Sequence, residues 1–385
     1  ACARGRGDTV GVHGAGSSRD GDSVGIGSRG RGRTRRACSR AEYCQRAEQD
    51  CGARPVGASL RSSALHAIDR SHGLGSAQWR RSAFVGVGLV GSLRAMAALG
   101  GVDVTFWGVR GSTPCSGEQF ARYGGNSSCV ALEVEGEPPI VFDLGTGLRC
   151  YGAALGGSVA AFRGTMLLTH LHWDHVQGLP FFEPLHNRAS AVDVYAPRHD
   201  EPIDVVFDRM MAPPFFPIRS HDLAGSIRWH ELSDDRFAVG NAKVHSASVR
   251  HVGTTLGYRV EWNGAVVTYI SDHGQGCGAD SSVDHVPDAV LELCDGADLL
   301  IHDAQHAVEE FEAKRSWGHC TNEYALRVAR ESGARCLALF HHCPTHGDDM
   351  IDRMLRDTRD LACTCGGPEV IASTERQTIR VGGRS

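Results

Sequence analysis

The part of the sequence after about residue 95 predicts a layered α/β fold with β-sheets in the middle. Three observations predict it. Short apolar runs typical of strands recur along this part, helical patterns lie among them, and polar side chains repeatedly follow the apolar runs. With 41% hydrophobic and 22% charged residues, the composition is that of an ordinary globular protein. No apolar run approaches the roughly 18 residues that a membrane-spanning helix needs, so we expect a cytoplasmic protein without a membrane partner.

The first 95 residues have a different composition. They are rich in Gly, Arg and Ser, and contain sixteen arginines, seven acidic residues and no lysine. Their net charge is therefore about +9, which leaves about −14 for the remainder. We expect residues 1–95 to be a low-complexity leader, disordered or absent from the native protein, and residues 96–385 to be the folded domain, with Met96 as a natural start. The alternative is an Arg/Gly-rich arm that binds nucleic acid or anionic surfaces.

The secondary structure follows from the periodicity of each segment. Alternating apolar residues predict half-buried strands, continuous apolar runs predict buried strands, and a spacing of three to four residues predicts helices. In chain order, the predicted strands are VDVTFWGV, SSCVALEVEG, PPIVFDLGTG, TMLLTH, AVDVYAP, AKVHSASV, TLGYRVEW, GAVVTYISD, ADLLIHDA, ARCLALFHH, PEVIAS and QTIRV. The predicted helices are EPIDVVFDRMM, NEYALRVARESG and DDMIDRMLRDTRDL.

A dense group of metal-ligand residue types follows the strand TMLLTH. The stretch THLHWDH places His170, His172, Asp174 and His175 within six positions. On an extended segment the first two side chains point the same way, and a turn brings the other two alongside. Imidazole suits Zn²⁺, and an added carboxylate lets a second cation bind nearby. The fourteen cysteines contain no CxxC pair, so they indicate neither a zinc ribbon nor a thioredoxin motif.

Together with four downstream segments, THLHWDH resembles the metallo-β-lactamase superfamily of αββα sandwich hydrolases, and within it the tRNase Z-like and phosphodiesterase branch. The downstream segments are RHVGTTLGYRVE, TYISDH, SWGHCTNEYA and LFHHCP. The resemblance covers roughly residues 102–383. One departure is Cys320, which stands where the branch has a serine after the histidine of its G-H-S-T element.

The resemblance implies a dinuclear metal site with seven ligands. It assigns one ion to His170, His172 and His251, the other to Asp174, His175 and His341, and places Asp272 between them, with His342 as the alternative to His341. Zn²⁺ is the expected metal, and the ligand types also suit Mn²⁺ or Fe²⁺. In such a site a metal-bridging hydroxide attacks the phosphodiester, so that no protein nucleophile is needed.

Six further residues are given roles around this site. The resemblance gives His319 and Asp174 as catalytic residues, with His319 donating a proton near the leaving oxygen. Asp143 and Asp303, each at a strand end, are expected to orient histidines. The segment FDRMMAPPFFPIRSHD predicts a rigid apolar flap, and its Phe215 and Phe216 would face substrate or else only close the core. Trp173 is expected to pack beside the metal loop.

Four functions remain open on the sequence. The acidic domain, which is nearly free of lysine, favours a small phosphodiester such as a cyclic nucleotide or a cyclic sugar phosphate, since a processor of large RNA needs cationic surface. The first alternative is a tRNA 3′-end-processing endonuclease of the tRNase Z type, with RNA as the partner. The others are a thioester or lactam hydrolase and a non-catalytic metal-binding module. The resemblance also allows a homodimer.

Overall fold

The computed structural model describes residues 100–159, 161–276 and 285–382. The predicted leader of residues 1–95 lies outside the described residues, so the leader and its boundary stay predictions. Within the described ranges, every helix is too short or too polar to span a bilayer.

Two seven-stranded sheets form the centre of the fold. The strands of the first sheet are β1 (Gly101–Gly108), β2 (Cys129–Glu133), β3 (Ile140–Phe142), β4 (Arg163–Leu167), β5 (Ala191–Pro197), β6 (Ser226–Leu232) and β14 (Thr378–Gly382). Their order across the sheet is β14-β1-β2-β3-β4-β5-β6. The pairs from β14 to β3 are antiparallel, and the pairs from β3 to β6 are parallel.

The second sheet repeats this mixed pattern. Its strands are β7 (Arg236–Val239), β8 (Ala242–Ser248), β9 (Leu256–Trp262), β10 (Ala265–Ile270), β11 (Leu299–Asp303), β12 (Cys336–Phe340) and β13 (Glu369–Ala372). They lie in the order β13-β12-β11-β10-β9-β8-β7. From β7 to β10 the pairing is antiparallel, and from β10 to β13 it is parallel.

Helices cover the outer face of each sheet. They are α1 (Gly147–Ala154), α2 (Trp173–Val176), α3 (Ile203–Met210), α4 (Asp288–Cys294), α5 (Phe311–Lys314), α6 (Asn322–Glu331) and α7 (Asp348–Thr364). Buried side chains of α1 and α3 pack with one face of the first sheet, and those of α4, α6 and α7 pack with one face of the second. The predicted αββα sandwich is therefore confirmed.

The core between the two sheets is aromatic. Phe142 of the first sheet stacks on Tyr269 of the second, with ring centroids 4.6 Å apart and planes 7° apart. Phe106 and Phe340 meet across the same interface at 6.3 Å. Fully buried aromatic side chains each remove a large apolar area from water, so this layer holds the two sheets face to face.

The two sheets present their parallel strand ends on the same side of the molecule. Polar residues follow β3 and β4 in the first sheet, and β10, β11 and β12 in the second. Parallel strands that are buried on both faces leave functional side chains to the loops at their carboxyl ends. The candidate site lies among these loops.

Candidate metal centre

The loop after β4 carries the first four candidate ligands. Two hydrogen bonds from β9 fix its start: the Tyr258 hydroxyl donates to the Leu168 carbonyl at 2.7 Å, and the Leu256 amide donates to the Thr169 carbonyl at 2.9 Å. His172 is still extended, and the short helix α2 begins at the next residue. This change from extended to helical backbone turns the side chains that follow His172 back toward His170.

Three histidines form the first group of converging ligand atoms. Nε2 of His170 lies 2.9 Å from Nδ1 of His172, and Nε2 of His251 lies 3.2 Å from the same Nδ1. His251 comes from the connection between β8 and β9, and its Nδ1 donates to the Gly318 carbonyl at 2.7 Å. That hydrogen bond leaves Nε2 of His251 as a lone-pair donor that faces the other two rings.

Asp174, His175 and His341 form the second group. Oδ2 of Asp174 lies 3.1 Å from Nε2 of His175 and 3.1 Å from Nε2 of His341. All three are buried, and their ligand atoms lie within 4.8 Å of one another. His341 adopts a left-handed backbone, with φ of 59°, directly after β12.

Asp272 lies between the two groups. Its Oδ1 is 3.8 Å from His170 and 3.6 Å from His251, and its Oδ2 is 3.2 Å from His175. Its Oδ1 is also 3.5 Å from Nε2 of His341. One carboxylate thus faces both sets of nitrogens, and this is the position that a bridging ligand needs.

Two buried carboxylates, Asp143 and Asp303, accept hydrogen bonds from histidines at the site. Asp143, fully buried after β3, accepts from Nδ1 of His175 at 2.8 Å and from the Tyr269 hydroxyl at 2.8 Å. Asp303, at the end of β11, accepts from Nδ1 of His319 at 2.9 Å and from the His273 amide at 2.9 Å. Each carboxylate therefore accepts a hydrogen bond from a histidine Nδ1, and its role in orienting that ring stays a prediction.

His319 approaches the site from the segment before α6. The Thr321 side chain caps α6 by accepting from the Tyr324 amide, which fixes the direction of that segment. Burial alone would lower the pKa of His319, but the Asp303 carboxylate outweighs it and raises this pKa above its usual value. An imidazole held by a carboxylate in this way can donate a proton to a group in the cleft.

The pKa values of His170 and His175 are shifted in opposite directions. Burial, reinforced by neighbouring His175, lowers the pKa of His170 well below its usual value, so its ring is neutral, which is the form that binds metal. For His175, burial opposes the charged form, but Asp174 and Asp272 raise its pKa well above the usual value. The same two carboxylates would attract a divalent cation.

The donor set fits a pair of divalent metal ions. Nε2 of His175 and Oδ2 of Asp272 are buried and have no hydrogen-bond partner among the described residues, although they face each other. Buried polar atoms nearly always have a hydrogen-bond partner, and a bound ion is one of the ordinary explanations where they have none. Five histidine nitrogens and two carboxylates are also the ligand types that zinc and similar metals take.

The two neighbouring histidines after β12, His341 and His342, contact different parts of the protein. His341 faces Asp174 and Asp272, whereas Nε2 of His342 donates to the Ser373 carbonyl at 2.9 Å. Burial, with Arg110 nearby, lowers the pKa of His342 to about 3. His342 is thus a neutral, buried residue behind the site.

One contact to the ligand groups has no counterpart in the sequence predictions. The turn after β1 brings the Ser112 amide to 2.7 Å from Oδ2 of Asp174. The preceding residue, Gly111, lies so close to His341 that an added Cβ would be 2.4 Å from Nδ1 of that ring. A sequence signal exists, since RGST follows a buried strand, but a backbone donor has no side chain to identify it.

Two adjoining cavities open at the site. The metal cavity, of about 560 Å³, is lined by ligand residues together with Trp173 and Trp317. The second cavity, of about 840 Å³, shares Leu171 and Trp173 with the first. Phe215 and Phe216 line only the second cavity, so they do not wall the metal cavity itself.

The prediction that Trp173 packs beside the metal loop is wrong. Its side chain is 75% exposed and lines both the metal cavity and the second cavity. It stands at the junction of the two cavities.

Comparisons with known proteins agree with this geometry. Residues 164–342 match the family described as Beta-lactamase superfamily domain. Ribonuclease Z of Natronomonas pharaonis is 26% identical over 283 residues, which cover 64% of this chain and 88% of that protein. In structure, the chain resembles the metallo-β-lactamase fold protein YhfI from Bacillus subtilis, with a TM-score of 0.54, 17% identity and coverage of 73% and 99%. It also resembles the short form of human tRNase Z, with a TM-score of 0.51, 22% identity and coverage of 72% and 99%.

The matched segment spans the HxHxDH loop, His251, Asp272, Asp303 and His341. The fold, the clustered His and Asp side chains and the sequence relatives therefore agree on one family. Residues 164–342 therefore carry a Beta-lactamase superfamily domain, and the chain is a metal-dependent hydrolase.

Proposed function

We propose that this chain is a dinuclear-metal phosphodiesterase that cleaves RNA in the manner of the ribonuclease Z relatives. The first ion would be held by His170, His172 and His251, and the second by Asp174, His175 and His341. The observation that carries the proposal is the position of Asp272, within 3.2–3.8 Å of nitrogens from both groups. Zinc is the metal we expect because imidazole dominates the donor set, and Mn²⁺ or Fe²⁺ would suit the same ligands.

The metal ions would supply Lewis acidity, a lowered pKa of bound water and charge neutralisation of the phosphate oxygens. The protein residues do the rest. Asp143 and Asp303 hold His175 and His319 in fixed orientations through hydrogen bonds of 2.8 and 2.9 Å. His319 lines the metal cavity, where it would donate a proton to the leaving oxygen of the ester.

RNA as the substrate rests on the relatives and on the exposed rings around the cleft. The ribonuclease Z of Natronomonas pharaonis aligns over 88% of its length, so the likeness extends well beyond the ligand motif. Trp173 and Trp317, both lining the metal cavity, are 75% and 55% exposed. Exposed aromatic rings beside a phosphate site are the usual platform for unpaired bases.

A small phosphodiester is the second candidate, and the charge of the chain favours it. Residues 101–385 carry 24 Lys and Arg residues against 38 Asp and Glu residues. Because cationic surface supplies much of the affinity for large RNA, an acidic surface favours a substrate with few phosphates, such as a cyclic nucleotide or a cyclic sugar phosphate.

One substrate panel, assayed with the full 385-residue chain, tests both candidates. We expect hydrolysis of bis(4-nitrophenyl) phosphate with Zn²⁺ or Mn²⁺, loss of activity with a chelator, and cleavage of precursor tRNA at its 3′ trailer. Hydrolysis of cyclic nucleotides or cyclic sugar phosphates, with intact precursor tRNA, would favour the second candidate. Activity only on S-lactoylglutathione or nitrocefin would replace both with a thioester or lactam hydrolase. No turnover of any substrate would indicate a metal-binding module.

A further inference from the structure

The second cavity lies directly beside the metal cavity and is open to solvent. The two cavities share Leu171 and Trp173, so a molecule held by the metal ions can extend past Trp173 into the larger space. At about 840 Å³, the second cavity is large enough for a nucleoside. None of the proposed metal ligands lines it, so the metal chemistry does not account for it.

The walls of the second cavity combine exposed aromatic rings with flexible apolar side chains. Trp173, Phe181 and Phe215 are 75%, 50% and 81% exposed, and Phe181 meets Phe216 edge to face at 5.8 Å. Large aromatic side chains that remain exposed next to one another commonly mark a binding surface. Here they border an opening rather than an interior, so closing the core does not explain them.

The charged groups of this cavity are all cationic. Its lining includes Arg149 and Arg209, both exposed, and no Asp or Glu residue. Arg209 pairs with Glu201 outside the lining. Since the domain around it has a net charge of about −14, two guanidinium groups beside aromatic rings are unusual here. A planar, apolar group that carries a phosphate matches this combination, because arginine binds phosphate and aromatic rings stack on bases.

We propose that the second cavity binds the nucleoside on the retained side of the scissile phosphate, with its base stacked among Trp173, Phe181 and Phe215. The inference rests on the proposed phosphodiesterase function. It assigns the leaving side to His319 and Trp317, which line only the metal cavity, and the retained side to the cavity beyond Trp173. A further phosphate on the retained nucleotide would meet Arg149.

A pair of model substrates tests this subsite. Methyl 4-nitrophenyl phosphate and thymidine 5′-(4-nitrophenyl) phosphate have the same leaving group and differ only on the retained side. We expect the intact chain with Zn²⁺ or Mn²⁺ to prefer the thymidine ester in kcat/KM. Phe215→Ala and Phe181→Ala should each lower this preference by roughly 5- to 100-fold, the size of one base–aromatic stack. Val205→Ala is the matched control, because Val205 is exposed on the same helix as the lining residue Val206 but lines neither cavity.

The outcomes distinguish this subsite from the function on which it rests. If neither ester is hydrolysed, the proposed function fails. If both are hydrolysed equally well, or if the preference survives both phenylalanine variants, the subsite is wrong. A decyl 4-nitrophenyl phosphate that outperforms the thymidine ester would replace the nucleoside with an alkyl chain.

A binding measurement gives an independent readout without hydrolysis. The fluorescence of 2-aminopurine nucleoside 5′-monophosphate falls when its base stacks, so we expect quenching on addition of the intact chain, even without metal. Phe215→Ala should weaken this quenching, and Val205→Ala should not. Unchanged quenching in Phe215→Ala would contradict the assigned position of the base.

Discussion

Asp143 and His175 are joined side chain to side chain: Oδ2 of the aspartate lies 2.8 Å from Nδ1 of the histidine, and both residues are fully buried. A carboxylate can only accept, so His175 donates from Nδ1 and its Nε2 faces Asp174 and Asp272. The contact crosses from the loop after β3 to the helix α2. It fixes which nitrogen of His175 is available to a metal ion.

Replacing Asp143 with asparagine should weaken metal binding. The amide cannot accept at both oxygens as the carboxylate does, so it cannot hold Thr169, His175 and Tyr269 together. We expect zinc affinity and activity to fall by about 10- to 100-fold, the usual effect of losing such an orienting carboxylate. Competition of the full chain against a fluorescent zinc chelator measures the affinity.

Asp193→Asn is the control for this experiment. Asp193 also pairs with a histidine, His230, at 2.8 Å, but its side chain on β5 is 26% exposed and lines neither cavity of the site. Equal loss of zinc affinity in both variants would show that the Asp143 contact has no special role.

Asp174→Ala should abolish turnover while leaving the fold intact. Asp174 faces two candidate ligands, His175 and His341, and accepts from the Ser112 amide. Without its charge, we expect phosphodiesterase activity to fall by about 10³-fold or more, because a lost metal site removes several kcal/mol of transition-state stabilisation. Circular dichroism should show unchanged secondary structure. Asp208→Ala removes a partly buried carboxylate that accepts from the Ser220 amide but lines neither cavity, and it should keep full activity. A wild-type rate in Asp174→Ala would exclude the two-metal assignment.

Gly111→Ala should disturb the second ligand group without removing any ligand. The added Cβ would lie 2.4 Å from Nδ1 of His341 and 2.5 Å from Oε1 of Gln305, so the His341 ring must move. We expect a loss of about 1–3 kcal/mol in the free energy of unfolding, typical of overpacking, and fewer zinc ions bound per chain. Urea denaturation and elemental analysis measure the two effects. Gly382→Ala, where a Cβ meets nothing within 4 Å, should change neither; two zinc ions in Gly111→Ala would contradict the prediction.

The Gly111–Ser112 turn shows why part of the site could not be predicted from the sequence. The ligands could be identified because each is a metal-binding residue type beside a buried strand, as in THLHWDH and TYISDH. The Ser112 amide is a backbone donor, so no residue type in the sequence identifies its contact with Asp174. Phe215 and Phe216 have an evident apolar character, but which cavity they line depends on how the segment after α3 packs against α2.

The secondary structure, too, could be predicted from the sequence only in part. The strands β1 to β5 and β8 to β14 have strong apolar patterns and were predictable. Strand β6, SIRWHEL, is half exposed at the edge of its sheet, so its apolar signal is weak. Helix α1 begins in GTGLRC, where glycines favour a loop, and it forms because Leu148 and Tyr151 are buried against the first sheet.

His319→Ala should lower the hydrolysis rate more for a substrate with a poor leaving group than for one with a good leaving group. If His319 protonates the leaving oxygen, its loss costs about 10²- to 10⁴-fold for an alkoxide leaving group. Nitrophenolate leaves without a proton, so activity on bis(4-nitrophenyl) phosphate should fall much less. The two rates are compared for one variant, with RNA or a cyclic nucleotide as the alkoxide substrate. His221→Ala, on the surface, is the control. Equal losses on both substrates would assign His319 a purely structural role.

His306 should make the fold less stable in mild acid. Its side chain is fully buried, and neither ring nitrogen has a hydrogen-bond partner among the described residues. Burial lowers its pKa to about 4, so the folded state binds fewer protons than the unfolded state between this value and the usual 6.5. The stability that depends on neutral His306 is therefore present above about pH 6.5 and is lost as the pH falls toward 4. At pH 5 the loss amounts to about 2 kcal/mol.

His306→Leu removes this titration and keeps an apolar group of similar size. We expect its free energy of unfolding, measured with urea, to decrease by about 2 kcal/mol less than that of the wild type between pH 7 and pH 5. His221→Leu, which changes an exposed histidine, should follow the wild type. If His306→Leu loses as much stability as the wild type over this range, then His306 accepts its proton in the folded chain, and the buried site around it must open or rearrange to admit the charge.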